Sequence, residues 1–86
     1  MEESIDRNAR YRQVREALSC CGQLTAKEVA VWMYDRGYVP TTERNHAAPR
    51  ITELEKKGEV MVVGAKVCQY TGKKVFIYAL KEKDND

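Results

Sequence analysis

No run of apolar residues in these 86 positions approaches the roughly 20 needed to cross a bilayer. The opening stretch, Met1 to Arg15, is polar and charged, unlike a secretory signal, so a cytoplasmic chain with no membrane partner is expected. Cysteine is scarce: Cys20, Cys21 and Cys68 make an odd set without a CxxC pair, and His46 is the one histidine. These are too few ligands for an ordinary zinc site, and a bond between adjacent Cys20 and Cys21 would close a strained ring. Three reduced thiols serving as small apolar residues are expected, with no metal and no cofactor. A glycine-rich phosphate loop and a nucleophile paired with a base are also missing. Glu43, Glu53 and Glu55 read as scattered helix charges rather than a catalytic pair, so an enzyme is not expected.

An excess of charge is missing too, since 15 basic residues face 13 acidic ones. The distribution is less even than the total. Residues 1–24 carry four basic against four acidic side chains, and residues 25–58 carry six against five. Residues 59–80 carry three against one, and the last six residues two against three. A nucleic-acid footprint should therefore centre on 59–80.

What is present is a sequence of clear starts and stops within one domain, 1–80, followed by a polar tail, 81–86, that should fray. Ser4 or Asp6 can cap a first helix over about 6–20, where Tyr11, Val14, Leu18 and Cys21 recur at helical steps. Gly22 stops it. Gln23-Leu24 is a short link with the look of one strand rung. Thr25-Ala26-Lys27-Glu28 then forms a capping box: the Thr25 hydroxyl accepts from the Glu28 amide, and the Glu28 carboxylate accepts from the Thr25 amide. Leu24 and Val29 stand at the positions of a hydrophobic staple. The second helix should span about 26–36 and end at Gly37, with Tyr38 folding back on Met33.

Val39 is held extended by Pro40. In the third helix, either Thr42 caps a helix that kinks near Pro49, or regular helix begins near Asn45. Continuous but distorted helix over about 43–57, with Gly58 as its stop, is the preferred expectation. From Glu59 the pattern turns to strands, Val60 to Val63, Val67 to Tyr70 and Val75 to Leu80, forming a hairpin with its tip near 69–73. Apolar residues on both faces leave its register open. The expected core comprises Val14, Leu18, Leu24, Val29, Met33, Ile51, Leu54, Val60, Val62 and Ile77.

Leu24 to Ala30, the block Pro49-Arg50-Ile51-Thr52-Glu53-Leu54-Glu55-Lys56-Lys57-Gly58, and the hairpin through Thr71-Gly72-Lys73-Lys74 together resemble the winged helix-turn-helix family. More loosely, the chain looks like the small members encoded by phages and prophages. The resemblance implies an α+β fold, a three-helix core followed by a C-terminal hairpin wing. It also implies double-stranded DNA as partner, with the third helix in the major groove and the wing on the backbone. A regulatory role in transcription follows from the same likeness.

On this sequence the implied contacts fall on Thr41, Thr42, Arg44, Asn45 and His46 at the start of the third helix, with Arg50 one turn on. Arginine and asparagine offer paired hydrogen-bonding groups to guanine and adenine edges, while threonine hydroxyls and early helix amides suit phosphates. Lys66, Lys73 and Lys74 would line the wing as phosphate contacts, with Gln69 and Tyr70 near its tip. Lysines on strands also serve simply to block edge pairing. Trp32 and Tyr34 suit packing against the core or a partner better than stacking on bases. A homodimer reading two half-sites would gain avidity, with the outward tyrosine and cysteines of the first helix as its contact. The rival reading is a winged helix used as a protein-interaction module in a larger assembly, which the small net charge favours.

The cysteine reading predicts that freshly prepared native protein has the mass of the free-thiol chain without zinc. A mass lower by two hydrogens would show a disulfide.

Overall fold

The computed structural model describes residues 7–69 and 71–81; Ser4, Asp6, Tyr70 and the 82–86 portion of the expected tail lie outside them. In chain order the elements are α1 (Arg7–Cys21), β1 (Gln23–Leu24), α2 (Ala26–Asp35), a 3-10 turn (Arg44–His46), α3 (Ala48–Lys56), β2 (Val60–Val67) and β3 (Lys74–Leu80). The fold is α+β, three helices with an antiparallel sheet of order β1-β3-β2. Among the described residues no helix is long and apolar enough to cross a membrane.

The second helix starts where its capping box places it. Glu28 N donates to Thr25 Oγ1 at 3.2 Å, and Thr25 N donates to Glu28 Oε1 at 3.0 Å. Two of the amides that a helix start leaves without partners are thereby satisfied. Thr25 is 1% exposed, so neither its hydroxyl nor its amide has water as an alternative partner. At the other end Gly37 takes φ 79°, and the amides of Gly37 and Tyr38 donate back to Tyr34 O and Met33 O, both at 2.9 Å. α3 closes the same way: Gly58 at φ 83° lets Glu59 N reach Leu54 O at 2.9 Å. A side chain at either glycine would strain this left-handed backbone.

The third helix departs from the expected continuous run over 43–57. The 3-10 turn Arg44–His46 comes first, Ala47 breaks it at φ −114°, and regular helix begins only at Ala48. Pro49 is the cause. It has no N–H to donate, and its ring would collide with the carbonyl four residues back, so helix cannot run through it. In the first turn of α3 that missing donor is one the helix would not use.

The hairpin register is now fixed. Val60 pairs with Leu80 and Val62 with Tyr78; the ladder then slips so that Gly64 faces Ile77, Ala65 faces Phe76 and Val67 faces Lys74. Val63 is the extra residue of a bulge. β1 adds to the far side of β3 through Gln23–Ala79 and Leu24–Tyr78, which leaves β2 as an edge strand. Cys68 N donates to Lys73 O and Gly72 N to Cys68 O, both at 2.8 Å, closing the hairpin end over buried Cys68.

The core is a three-helix contact sealed at one edge by the base of the sheet. Val14, Ala17 and Leu18 of α1, Val29, Ala30 and Met33 of α2, and Ile51 and Leu54 of α3 are buried with Val60 of β2. Leu24, Tyr78 and Leu80 are partly buried against them. Three expectations need correction. Val62 is 38% exposed and Ile77 is half-buried, because the hairpin extends past the helices and only its base meets them. Tyr11 keeps its place on the apolar stripe and is not an outward dimer contact: it is 8% exposed, and its hydroxyl donates to Glu53 Oε1 at 2.6 Å. Ala17, Ala26, Ala30 and Val39 fill the core without having been expected there, and Ala47 is buried beside Ile51 and Leu54, on the inner face where the third-helix pattern puts it.

Thr25→Ala removes a buried cap acceptor and should cost about 1–2 kcal/mol, read as a lower urea midpoint. Thr25→Ser keeps the oxygen and should cost markedly less.

Candidate nucleic-acid interface

The first turn of α2 sets both walls of the main surface cleft. Lys27 Nζ donates to Thr42 O at 2.7 Å and reaches Thr42 Oγ1 at 3.3 Å, which holds the segment leading into the 3-10 turn. One residue on, the Glu28 carboxylate has two tasks. Its Oε1 closes the capping box, and its Oε2 accepts from Lys66 Nζ of β2 at 2.7 Å. Partial burial resists ionisation of Glu28, but the hydrogen bonds from Lys66 and the Thr25 amide outweigh it and hold the carboxyl below its ordinary value.

Between these tethers lies a cleft of about 510 Å³, bounded by the start of α2, the 3-10 turn and β3. Its lining includes the cations Lys27, Arg44 and Lys74, against one carboxylate, Glu43. Asn45, Phe76 and Tyr78 complete the surfaces that matter chemically. Burial, with Glu55 nearby, pushes the Tyr78 hydroxyl above its ordinary value, while Arg44 pulls it the other way. Tyr78 thus remains a neutral hydroxyl near pH 7.

A second, smaller depression of about 190 Å³ lies on the other side of the 3-10 turn, lined by Arg10, Asn45, His46, Pro49 and Arg50. Burial and then the charge of Arg50 lower the Arg10 guanidinium from its ordinary value. Both arginines line this depression, and the charge of Arg50 is offset by its ion pair with Glu53. Arg10 Nη1 also donates to His46 O at 3.2 Å, tying α1 to the end of the 3-10 turn.

The nine residues expected at the interface divide by how they are held. Arg44 and Asn45 are exposed and make no side-chain hydrogen bond among the described residues. Lys73 and Lys74 are exposed at the far end of the hairpin. Thr41, Thr42 and His46 are engaged locally: Thr41 Oγ1 lies 2.9 Å from His46 Nε2 and accepts from Glu43 N at 3.3 Å, and Thr42 holds Lys27. Lys66 is held by Glu28. Arg50 is the most constrained. Its side chain is 15% exposed, Nη2 donates to Glu53 Oε2 at 3.1 Å, and Nε lies 3.0 Å from Glu53 Oε1. It also sits 6.0 Å from the Tyr11 ring centroid, while Lys57 Nζ lies 4.5 Å from the same ring.

Arg10 and Lys27 join this surface without having been singled out in the sequence, and Phe76, also not singled out, lines the larger cleft. Arg10 is one of four arginines spaced along α1, and its placement beside Arg50 depends on how α1 crosses α3. Trp32, by contrast, lies away from both depressions, half-buried, with Arg36 at 4.4 Å from its ring and Tyr38 at 6.1 Å.

Comparison of the chain with protein-family models, curated proteins and solved structures finds no match.

The Glu28 carboxyl is held below its unfolded value, so the stabilisation it gives is full above about pH 4.5 and is lost as pH falls through its folded value. Glu28→Gln should therefore lower the urea midpoint at pH 7 and match the parent more closely at pH 3. An equal gap at both pH values would show that its charge contributes nothing.

Proposed function

We propose that the chain is a winged helix-turn-helix protein that binds double-stranded DNA with sequence preference, as a small regulatory protein of the phage or bacterial type. In this reading α2, the 3-10 turn and α3 form the helix-turn-helix, and the β2–β3 hairpin is the wing. One observation carries it: Arg44 and Asn45 stand exposed on the 3-10 turn, between two depressions that are both lined by cations. That layout suits a groove of DNA, with base edges ahead of the turn and phosphates on either flank. Arg10 on one side, and Lys73 and Lys74 on the other, take the flanking phosphates. Arg50, paired to Glu53 within α3 and set against the Tyr11 ring, is assigned to the α1–α3 contact rather than to a base. The reading is one of binding, not catalysis, and a homodimer would double the contacts on a two-fold symmetric site.

A second reading, an interaction module within an assembly, is favoured by β2. This edge strand exposes Met61, Val62, Val63 and Val67, with Val67 at 66%. An apolar edge of this kind can accept a strand from another chain.

Selection from random duplex DNA should yield an enriched motif, and anisotropy on that motif and a scrambled duplex then separates the roles. Arg44→Ala and Asn45→Ala should each cost about 1–3 kcal/mol on the motif and little on the scrambled duplex. Arg10→Ala, Lys73→Ala and Lys74→Ala should weaken both alike, each flattening the salt slope by about one unit. Equal losses from every substitution would leave a non-specific binder. No salt-sensitive retention on DNA, together with a larger assembly on size exclusion, would favour the interaction module.

A further inference from the structure

Phe76 is the one phenylalanine of the chain, and it is 58% exposed. Its cross-strand neighbour is Ala65, too small to cover the ring. Burial against the core therefore does not account for it, although the ring lies inside the 510 Å³ cleft rather than on open surface. Along β3 it alternates with Lys74 and Tyr78, and all three line the same cleft. The opposite wall brings Arg44 and Asn45, a cation and an amide without side-chain hydrogen bonds among the described residues. The cleft thus presents an aromatic face, an amide and three cations offset by the Glu43 carboxylate, around a volume within the range of sites that enclose a small organic group.

Paired duplex DNA makes little use of such a ring, which can meet only a thymine methyl or a sugar there. Its base faces are covered by their neighbours, so it offers only base edges, sugars and phosphates. An unpaired nucleotide offers the missing partner, because its base exposes a π-face that stacks on an aromatic side chain regardless of sequence. The concave setting matters as well. A side chain that wedges into an intact duplex projects from the protein, whereas Phe76 shares the lining of one cleft with Lys74 of its own strand and with Arg44 and Asn45 of the 3-10 turn.

We propose that the cleft between the 3-10 turn and β3 receives one unpaired nucleotide of a bound DNA strand, its base stacked on Phe76, its edge met by Arg44 and Asn45 and its phosphate by Lys74. The proposal rests on the DNA-binding reading of this face and narrows it: the preferred substrate contains a single-stranded interruption. A gap or a melted segment beside a duplex supplies both an unpaired base for the cleft and flanking phosphates for Arg10 and Lys73.

The test compares the intact duplex with the same duplex carrying a three-nucleotide gap in one strand, by fluorescence anisotropy with the full chain. The gapped duplex should bind more tightly, by a factor between about 5 and 100 for one stacked base. Phe76→Ala should abolish that preference while leaving intact-duplex affinity within about twofold, which also shows the variant to be folded. Phe76→Trp should keep it. Equal affinity for the two duplexes, or an equal loss on both from Phe76→Ala, overturns the proposal and leaves duplex binding standing. Absence of binding to either DNA overturns both. A free nucleotide shares the chemistry, so millimolar deoxyadenosine monophosphate is added as competitor. Displacement of the gapped duplex would reassign the cleft to a small ligand and overturn the strand proposal; its retention supports the strand.

Discussion

The molecule depends on a buried threonine. Thr25 lies in the core margin with almost no solvent contact, and a polar group there costs free energy unless every hydrogen-bonding function is matched. The Glu28 side chain and amide are what match it. That requirement fixes where α2 begins and which way its first turn points. From this turn Lys27 reaches the segment before the 3-10 turn, and Glu28 reaches the hairpin. The two walls of the main cleft are thus positioned by adjacent residues of one helical turn. A local capping preference worth about 1 kcal/mol becomes a long-range device because it is anchored in the core.

A second set of links runs from α1 to α3. Tyr11 and Arg50 both bond to Glu53, Arg15 pairs with Glu59 just beyond α3 at 2.6 Å, and Arg10 holds the end of the 3-10 turn. Arg15 and Glu59 are partly solvated, so that pair contributes little by itself. The Tyr11–Glu53–Arg50 group is better shielded and orients the helix. One consequence is a division of labour among the basic residues near the turn. Arg50, bound into the framework, sets geometry, and Arg44 and Asn45 make no side-chain hydrogen bond among the described residues.

Where one element begins and ends is a local matter, and such features were legible in the sequence. The capping box of Thr25 and Glu28 and the glycine stops at Gly37 and Gly58 are set by residues within five positions of one another. The three-helix and hairpin order followed from them. What escaped was decided by three-dimensional neighbours. Pro49 offered two outcomes, and packing of Ala47 into the core went with the broken helix. The bulge at Val63 shifts the ladder by a residue, which no alternation of apolar residues could reveal in a strand apolar on both faces. Tyr11 read as outward because its partner, Glu53, is 42 positions away. The candidate site divides similarly: Arg44, Asn45, Lys73 and Lys74 were visible as exposed polar positions. Arg10 and Phe76 acquire their meaning from what lies across a cleft.

The bond between Glu28 and Lys66 has a cost on the far side of the sheet. Val60–Val67 is an eight-residue edge without proline, and Lys66 is its one charged residue. Proteins commonly rely on such a lysine as a gatekeeper, since its charge repels a second strand that would otherwise add to the edge and seed cross-β growth. Here that ammonium is neutralised by a carboxylate of its own chain. The clamp that positions the cleft therefore disarms the strand's guard against self-association. The remaining protection is geometric: the kink at Val63 interrupts the flat run an incoming strand would need.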